Sequence, residues 1–337
     1  METVAKIIDE RLTESASEDR FSGTVLVKVG GAPLLAAGYG AADRERQIAN
    51  MPDTRFRLGS MNKMFTATAV LQLVQRSELS LQMTVGEVFP DFANREVAAK
   101  VTVHHLLGHT SGLGNIWGPE FDAHRLELRT PADYVRLFGA RSPEFEPGSA
   151  YKYSNYGYIL LGHILEAVSG EDYYDRVRRQ IFGPAGMLST DSLPESVEVP
   201  RRAVGYMRSP KGWRPNWETL PYCGTPAGGG YSTVGDLDLF AKALTGHRLL
   251  DAEHTALLTE GKVDADGGMR YAYGFMDELD RGVRRIGYTG GAQGMAALFW
   301  IYPRADWVVT VLSNRDAPAA KIVTEFVVDQ LFAATAN

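Results

Sequence analysis

A strongly apolar stretch covers residues 61–74, in which nearly every side chain is hydrophobic or small. A helix that is apolar around most of its circumference lies inside a protein rather than on its surface. Two polar residues, Ser60 and Lys63, stand at the start of this stretch. Because residues three apart share a helix face, with Cβ atoms about 5–6 Å apart, we expect the Lys63 amine to reach the Ser60 hydroxyl.

Short apolar runs predict strands near both ends of the chain. Such strands can pair in one antiparallel sheet, and the apolar patterns of residues 1–12 and 319–332 predict helices that pack on its faces. The predicted strands cover residues 23–29, 34–39, 271–276, 283–289, 295–302 and 307–313.

Polar capping residues divide the middle of the chain into short helices. Thr102 and Thr130 fit N-cap positions, where a side-chain oxygen accepts from a free backbone N–H. Ser154 precedes a longer predicted helix, and Gly170 fits the position just past its end.

These elements predict an α+β fold with two parts. Residues 1–78 and 200–337 are expected to form an α/β domain with an antiparallel sheet, and residues 79–199 an inserted helical domain. A cleft between two such parts is the usual place for a site, and Ser60 lies at their junction.

The composition argues against nucleic acid and membranes as binding partners. The 337 residues are 45% hydrophobic and carry a net charge of −6, so the sequence has no basic footprint for nucleic acid or an anionic membrane. No apolar run is long enough to span a bilayer, and the first residues do not resemble a signal peptide. We therefore expect a cytoplasmic protein, or a periplasmic one if a leader has been removed.

The sequence gives little support for a disulfide, a metal site or an α/β-hydrolase nucleophile. Cys223 is the only cysteine, which excludes an internal disulfide and a thiolate metal cluster. His105 and His109 are four apart, but they lack the glutamate of a zinc-binding helix and an evident third ligand. No G-x-S-x-G nucleophile elbow occurs. We expect neither a metal nor a cofactor.

Two further motifs carry residues suited to catalysis. Tyr153 and Asn155 flank Ser154; a tyrosine can pass a proton, and an asparagine can hold an amine and a carbonyl. In residues 287–291, Gly-Tyr-Thr-Gly-Gly, glycines at a strand end allow close approach of a substrate and leave an N–H for an oxyanion. Taken singly, these motifs also fit a helix cap and a tight turn, as Ser60 and Lys63 fit a cap and a solvent-exposed lysine.

Together the motifs resemble those of the serine β-lactamase and penicillin-binding-protein superfamily. Ser60-Met61-Asn62-Lys63, Tyr153-Ser154-Asn155 and Tyr288-Thr289-Gly290 stand in the order and spacing of its S-x-x-K, Y-x-N and K/H-T-G motifs. Residues 105–113 and 227–229 are similar to further stretches of the branch that contains class C β-lactamases, D-alanyl-D-alanine carboxypeptidases and family VIII carboxylesterases. The resemblance implies a β-lactamase/transpeptidase-like fold.

The resemblance also implies a serine acyl-enzyme mechanism. Ser60 would be the nucleophile, Lys63 its base and Tyr153 the carrier of a proton to the leaving group. Asn155 would orient Lys63 and the acyl side chain, and the N–H groups of Ser60 and Gly291 would bind the oxyanion. The remaining substrate-binding positions would be Tyr288, Thr289 and Gly290.

One position departs from the family pattern. The third motif normally opens with a lysine or histidine, which can meet a substrate carboxylate, whereas here it opens with Tyr288. Tyrosine is neutral at pH 7 and offers one hydroxyl donor, which suits an uncharged ester better than a carboxylate. Arg284 lies on the same face of the predicted strand but roughly 13 Å away.

These observations predict a carboxylesterase that acts on small or short-chain esters and hydrolyses β-lactams weakly. The alternatives are a D-amino-acid peptidase, a D-alanyl-D-alanine carboxypeptidase or a class C-like β-lactamase. The non-enzyme alternative is a penicillin sensor that is acylated at Ser60 and never released. The partner would be a small-molecule ester or amide, and the oligomeric state cannot be predicted from the sequence.

Overall fold

The computed structural model describes residues 1–335, apart from the side chain of residue 266. Its centre is an eight-stranded antiparallel sheet in the order β2-β1-β14-β13-β12-β11-β10-β9. The predicted pairing of the first strands with the last is confirmed: Val25 lies opposite Val311. The strands of the large sheet are β1 (Gly23–Val29), β2 (Ala32–Tyr39), β9 (Val263–Asp264), β10 (Arg270–Tyr271), β11 (Met276–Asp280), β12 (Val283–Ala292), β13 (Met295–Tyr302) and β14 (Trp307–Ser313).

Three small two-stranded sheets join the connecting segments. One of them, the pairing of β5 with β8, brings the residues before Ser60 against those that follow the 226–230 glycine loop. Their strands are β3 (Ala41–Asp43), β4 (Ile48–Ala49), β5 (Phe56–Arg57), β6 (Tyr206–Ser209), β7 (Gly212–Pro215) and β8 (Tyr231–Ser232).

Helices cover both faces of the large sheet. The described helices are α1 (Glu2–Ser17), α2 (Asn62–Gln75), α3 (Val85–Val88), α4 (Arg95–Lys100), α5 (Val103–Leu107), α6 (Pro119–His124), α7 (Pro131–Phe138), α8 (Asn155–Ser169), α9 (Tyr173–Val177), α10 (Gly183–Ala185), α11 (Val234–Thr245), α12 (Ala252–Thr259) and α13 (Ala319–Thr335). A short π-helical segment, Arg178–Phe182, links α9 to α10.

Strand alternation separates two apolar cores. Val25 and Val27 of β1 pack with α1 and α13 on one face of the sheet. Leu26 belongs to the larger core on the other face, which also contains α2, α8 and α11. In α2 all residues from Asn62 to Leu73 are buried, as its apolar circumference predicts.

The predicted caps of the middle helices are present. The side chain of Thr102 accepts from the N–H of His105 at 3.2 Å, and that of Ser154 from the N–H of Gly157 at 2.9 Å. Gly170 ends α8 in the left-handed conformation, with φ of 71°. Residues 79–199 contain α3 to α10, while their treatment as a separate domain stays a prediction.

The structure differs from the prediction around residue 274. Instead of one strand over 271–276, β10 ends at Tyr271 and β11 begins at Met276. Gly274 adopts a positive φ of 69°, and a Cβ there would lie 2.5 Å from the carbonyl oxygen of Lys63. The turn thus packs tightly against the start of α2, a tertiary contact that local strand propensity does not encode.

Two other elements differ from the prediction: one helix was not predicted, and one strand is longer than predicted. The helix α12 (Ala252–Thr259) is capped by Asp251, whose side chain accepts from the N–H of His254 at 2.8 Å. The strand β12 continues beyond residue 289 to Ala292. None of the helices within residues 1–335 combines the length and the apolar character that crossing a membrane requires.

Candidate active site

Ser60 lies where three backbone segments meet without intervening side chains. A Cβ on Gly290 would lie 1.8 Å from the carbonyl oxygen of Leu58, and one on Gly228 would lie 2.7 Å from that of Gly59. Gly59 itself has a positive φ of 53°. Glycines are therefore required at this junction, because any side chain would force β12 and the glycine loop away from the serine.

The serine precedes α2 rather than lying in its first turn. Residues Gly59–Met61 form a 3₁₀ turn, and no side chain caps it. The predicted separation of Ser60 and Lys63 by three residues is kept, but the link between their side chains is indirect. Tyr153 Oη donates to Ser60 Oγ at 2.7 Å and lies 2.5 Å from Lys63 Nζ.

Lys63 is completely buried and its amine has three oxygen neighbours. Besides Tyr153, these are Asn155 Oδ1 at 2.7 Å and the carbonyl oxygen of Ala227 at 2.6 Å. No carboxylate is among these three neighbours to compensate a charge. Burial therefore lowers the pKa of the Lys63 amine well below its ordinary value.

Tyr153 connects the amine to the serine as a neutral phenol. Burial raises the pKa of Tyr153 to about 12, and hydrogen bonds with Ser60 and Tyr288 offset part of this increase. The Lys63 amine also lies 4.6 Å from the centroid of the Tyr153 ring. A neutral amine next to a neutral phenol can take up the proton that the phenol receives from a hydroxyl.

The Y-x-N spacing brings both side chains to the same place through one extended residue. Ser154, between them, has φ of −134° and ψ of 116° and is the N-cap of α8. In extended backbone, side chains two residues apart point to the same side. Asn155 also donates from Nδ2 to Asn115 Oδ1 at 2.9 Å, which fixes the orientation of its amide.

The residues of the third motif differ in their exposure and in their neighbours. Gly291 is exposed and lies beside the serine turn, since a Cβ on Gly59 would be 2.7 Å from its backbone nitrogen. Gly290 is buried against Leu58, and Thr289 is half-buried in β12 opposite Leu298.

Tyr288 requires a correction. It was expected to face substrate, but only 1% of it is exposed, and its hydroxyl lies 2.8 Å from that of Tyr271. The side chain points from β12 into the core beneath the site, with Tyr153 above it. The two arginines of this strand do not compensate for the missing charge, because Arg284 binds Asp277 and Arg285 binds Glu278, each at 2.7 Å.

A cavity of about 570 Å³ opens above Ser60. Its lining is largely apolar and aromatic, with one cation, Arg125, and two carboxylates, Asp122 and Glu218. The apolar and small lining residues include Ile116, Trp117, Phe121, Tyr134, Leu220, Pro221, Gly291, Ala292 and Met295. Ser60 and Asn155 line this cavity, whereas Lys63 and Tyr288 are buried and do not.

A second cavity of similar size, about 580 Å³, lies between the β3–β4 hairpin and residues 198–204. Four arginines and three carboxylates line it, and Arg57 among them is bound through its Nε and Nη2 to Glu195. It contains none of the residues of the three motifs.

Sequence reasoning missed several contacts of the site. The contact of Lys63 with the carbonyl oxygen of Ala227 could not be predicted, because a backbone carbonyl leaves no pattern of residue types. The sequence indicated only that residues 227–229 resemble a stretch of the family. His109 lies in the 105–113 stretch that resembles the family, but the sequence assigned it no contact; in the structure its Nδ1 accepts from the N–H of Ser154 at 3.2 Å. Asn115 and Tyr271 belong to no motif that would have pointed to them.

Comparisons with known proteins identify the family of this chain. Residues 4–332 match the family described as Beta-lactamase. Penicillin-binding protein 4 of Amycolatopsis lactamdurans is 29% identical over 90% of this chain and 84% of its own length. Esterase EstB of Burkholderia gladioli is 34% identical over 60% of this chain, and the match covers 55% of EstB.

A solved structure extends the likeness to the whole fold. The penicillin-binding protein from Bacillus halodurans superposes with a TM-score of 0.86 at 30% identity, over 95% of this chain and 99% of that one. The antiparallel sheet with its flanking helices is thus the β-lactamase/transpeptidase-like fold. The chain belongs to the beta-lactamase family and is a serine hydrolase of the beta-lactamase and penicillin-binding-protein class.

Proposed function

We propose that this chain hydrolyses small or short-chain neutral carboxylic esters through an acyl-enzyme on Ser60. The observation that carries the proposal is the continuous hydrogen-bonded connection from Ser60 Oγ through Tyr153 Oη to Lys63 Nζ, with distances of 2.7 and 2.5 Å. One end of this connection opens into the cavity and the other is a buried amine whose pKa is lowered.

The surroundings of the amine support its role as a base. A neutral amine has two protons and one lone pair, and the oxygens of Asn155 and Ala227 can only accept. If both protons go to those oxygens, the lone pair is directed at Tyr153. The hydroxyl of Tyr153 donates to Ser60 Oγ at rest, and for the reaction it turns its proton toward this lone pair. The phenol proton then moves to Lys63 while Tyr153 Oη takes the proton of Ser60.

The acylation step follows from this relay. Ser60 Oγ forms a bond to the ester carbonyl carbon, and its proton passes by way of Tyr153 to Lys63. The tetrahedral intermediate then expels the alcohol oxygen, which takes up a proton from Tyr153 as Lys63 returns one to it. Water attacks the acyl-enzyme by the same relay and releases the acid and the free serine.

The oxyanion is expected between the N–H groups of Ser60 and Gly291. Gly291 lines the cavity, and its nitrogen lies against the turn that carries Ser60. A preorganised donor of this kind contributes about 3 kcal/mol to transition-state stabilisation.

The charge of the cavity favours neutral substrates. The lining has two carboxylates, Asp122 and Glu218, and one cation, Arg125, whose guanidinium donates to the backbone carbonyl oxygen of Glu218 at 2.8 Å. A substrate carboxylate would therefore be desolvated in a lining whose carboxylates outnumber its cations. Its similarity to EstB, an esterase by name, supports the same preference.

A peptidase or β-lactamase acting on D-amino-acid or β-lactam substrates is the second candidate. It is favoured by the likeness to penicillin-binding proteins over nearly the whole chain. The same acyl-enzyme relay would serve an amide, so weak β-lactam hydrolysis accompanies the proposed esterase activity.

A parallel assay separates these candidates. Steady-state kcat/KM is measured for p-nitrophenyl acetate and butyrate, a chromogenic cephalosporin and a D-alanyl-D-alanine peptide, with Ser60→Ala as the control. We expect the esters to exceed the other two by at least about tenfold. Equal or faster turnover of the cephalosporin or the peptide would favour the second candidate. A stoichiometric burst without steady-state turnover would favour a sensor.

A further inference from the structure

A buried histidine that the proposed relay does not use lies directly beneath it. His109 is completely buried, and its ring centroid lies 4.6 Å from that of Tyr153 and 4.5 Å from that of Tyr271. Its Nδ1 accepts the backbone N–H of Ser154, the residue between Tyr153 and Asn155. The imidazole thus contacts the Y-x-N motif through both its ring face and its edge.

The contacts define one tautomer of this imidazole. Because the partner of Nδ1 is a backbone donor, Nδ1 carries a lone pair and the proton of the neutral ring is on Nε2. Among the described residues, Nε2 has no hydrogen-bond partner. Burial holds the pKa of His109 well below its ordinary value, so the ring stays neutral.

The segment that begins at His109 runs along the Y-x-N motif. The carbonyl oxygen of His109 accepts from the N–H of Lys152 at 2.9 Å, and that of Gly114 accepts from the hydroxyl of Ser154 at 2.9 Å. At its far end, Asn115 holds the amide of Asn155. His109 adopts φ of 57°, a conformation uncommon outside glycine that persists only where surrounding contacts enforce it.

We propose that His109 is a positioning residue of the reaction: its Nδ1 holds the N–H of Ser154 and its ring supports Tyr153, which keeps Tyr153 Oη between Ser60 and Lys63. This inference rests on the proposed function of those three residues. A displacement of about 1 Å in a relay of two hydrogen bonds is enough to lower the rate by about a hundredfold.

Two substitutions separate the edge of the imidazole from its face. In His109→Asn, the amide oxygen can replace Nδ1 as acceptor, and asparagine tolerates a positive φ better than most residues. In His109→Phe, the ring is kept but the N–H of Ser154 loses its partner in a buried place. The first variant keeps the polar acceptor and loses the ring, and the second keeps the ring and loses the acceptor.

The test measures kcat and KM for p-nitrophenyl butyrate and the rate at which a serine-reactive phosphonate labels Ser60, at a temperature where unfolding curves show each variant folded. We expect His109→Phe to lower kcat and the labelling rate by at least tenfold with KM within about twofold, and His109→Asn to recover at least about a third of the wild-type values. Wild-type kcat in His109→Phe, equal impairment of both variants, or an effect on KM alone would overturn the proposal.

A measurement on the unchanged protein covers the case in which His109→Phe does not fold. The ¹⁵N shifts of His109 report its tautomer, and we expect the Nε2–H form at neutral pH. The Nδ1–H form would overturn the proposal, because Nδ1 could then not accept from Ser154. Failure of the proposed function would appear separately, as undiminished ester hydrolysis in Ser60→Ala.

Discussion

Lys63 Nζ and Tyr153 Oη lie 2.5 Å apart in a buried site whose nearest other polar partners are an amide oxygen and a backbone carbonyl. A charged lysine in such a place would be paired with a carboxylate, because an uncompensated buried charge is strongly unfavourable. The pair is therefore arranged for one proton that moves between the two groups.

Replacing Lys63 with arginine should nearly abolish ester hydrolysis. Guanidinium stays protonated at any working pH and cannot accept the serine proton. We expect kcat to fall by about 10³-fold, within the usual range for loss of a general base, in a protein whose unfolding curve still shows a folded state. A kcat above about a tenth of the wild-type value would mean that Lys63 is not the base.

Replacing Lys63 with methionine tests its protonation state through stability. Since burial lowers the pKa of Lys63 in the folded state, the unfolded chain holds one more proton between that pKa and about 10.4. The free energy of unfolding of the wild type should therefore rise with pH relative to Lys63→Met, by up to about 1.4 kcal/mol per pH unit.

Urea unfolding at pH 7, 8 and 9 measures this difference, because the other titrating groups are shared by the two proteins and cancel. A difference that stays constant or falls as the pH rises would show that folded Lys63 is charged throughout the range.

Removing the hydroxyl of Tyr288 should affect catalysis but not substrate binding. This hydroxyl lies 2.8 Å from that of Tyr271. It also interacts with the Tyr153 hydroxyl, and this interaction lowers the pKa of Tyr153. We expect Tyr288→Phe to lower kcat about fivefold, equivalent to about 1 kcal/mol, with KM for p-nitrophenyl butyrate within twofold.

The matched control is Tyr302→Phe, a buried tyrosine that packs in the core on the opposite face of the sheet. It should leave kcat unchanged. A rise in KM with constant kcat in Tyr288→Phe would show instead that the residue contacts substrate.

Two neighbouring glycines should respond differently to alanine. A Cβ on Gly290 would lie 1.8 Å from the carbonyl oxygen of Leu58, whereas the nearest atom to a Cβ on Gly291 is 3.9 Å away. We expect Gly290→Ala to destabilise the protein by roughly 3 kcal/mol and to abolish activity, since the serine turn must shift. Gly291→Ala should keep its wild-type thermal stability. Equal melting temperatures for the two variants would contradict the packing described at this junction.

Local patterns predicted the regular elements well where turns bound them. The strands β1, β13 and β14 have the predicted limits, because glycine or proline turns and a buried face define them on both sides. The strand β12 was harder to predict, since Gly287, Gly290 and Gly291 interrupt its alternation of apolar and polar residues. The sequence therefore did not indicate that Tyr288 faces the core rather than the cleft.

In the site, the residues of the side-chain motifs could be predicted, whereas the tertiary contacts could not. Ser60, Lys63, Tyr153 and Asn155 come together as their motifs predict. The partner of Lys63 at Ala227 is a backbone carbonyl 164 residues away, and no local pattern reports such a contact. The helix α12 escaped prediction because its apolar residues do not follow one helical face.

Covalent labelling tests the central claim most directly. The protein is treated with a serine-reactive phosphonate, and the adduct is located by mass spectrometry of the digested chain, with Ser60→Ala as the control. The hydroxyl of Ser60 receives one hydrogen bond from Tyr153 and caps no helix, so its loss should leave the fold intact. We predict one adduct per chain, on Ser60, and neither an adduct nor ester hydrolysis in Ser60→Ala. An adduct on another residue, or wild-type ester hydrolysis in Ser60→Ala, would contradict the account.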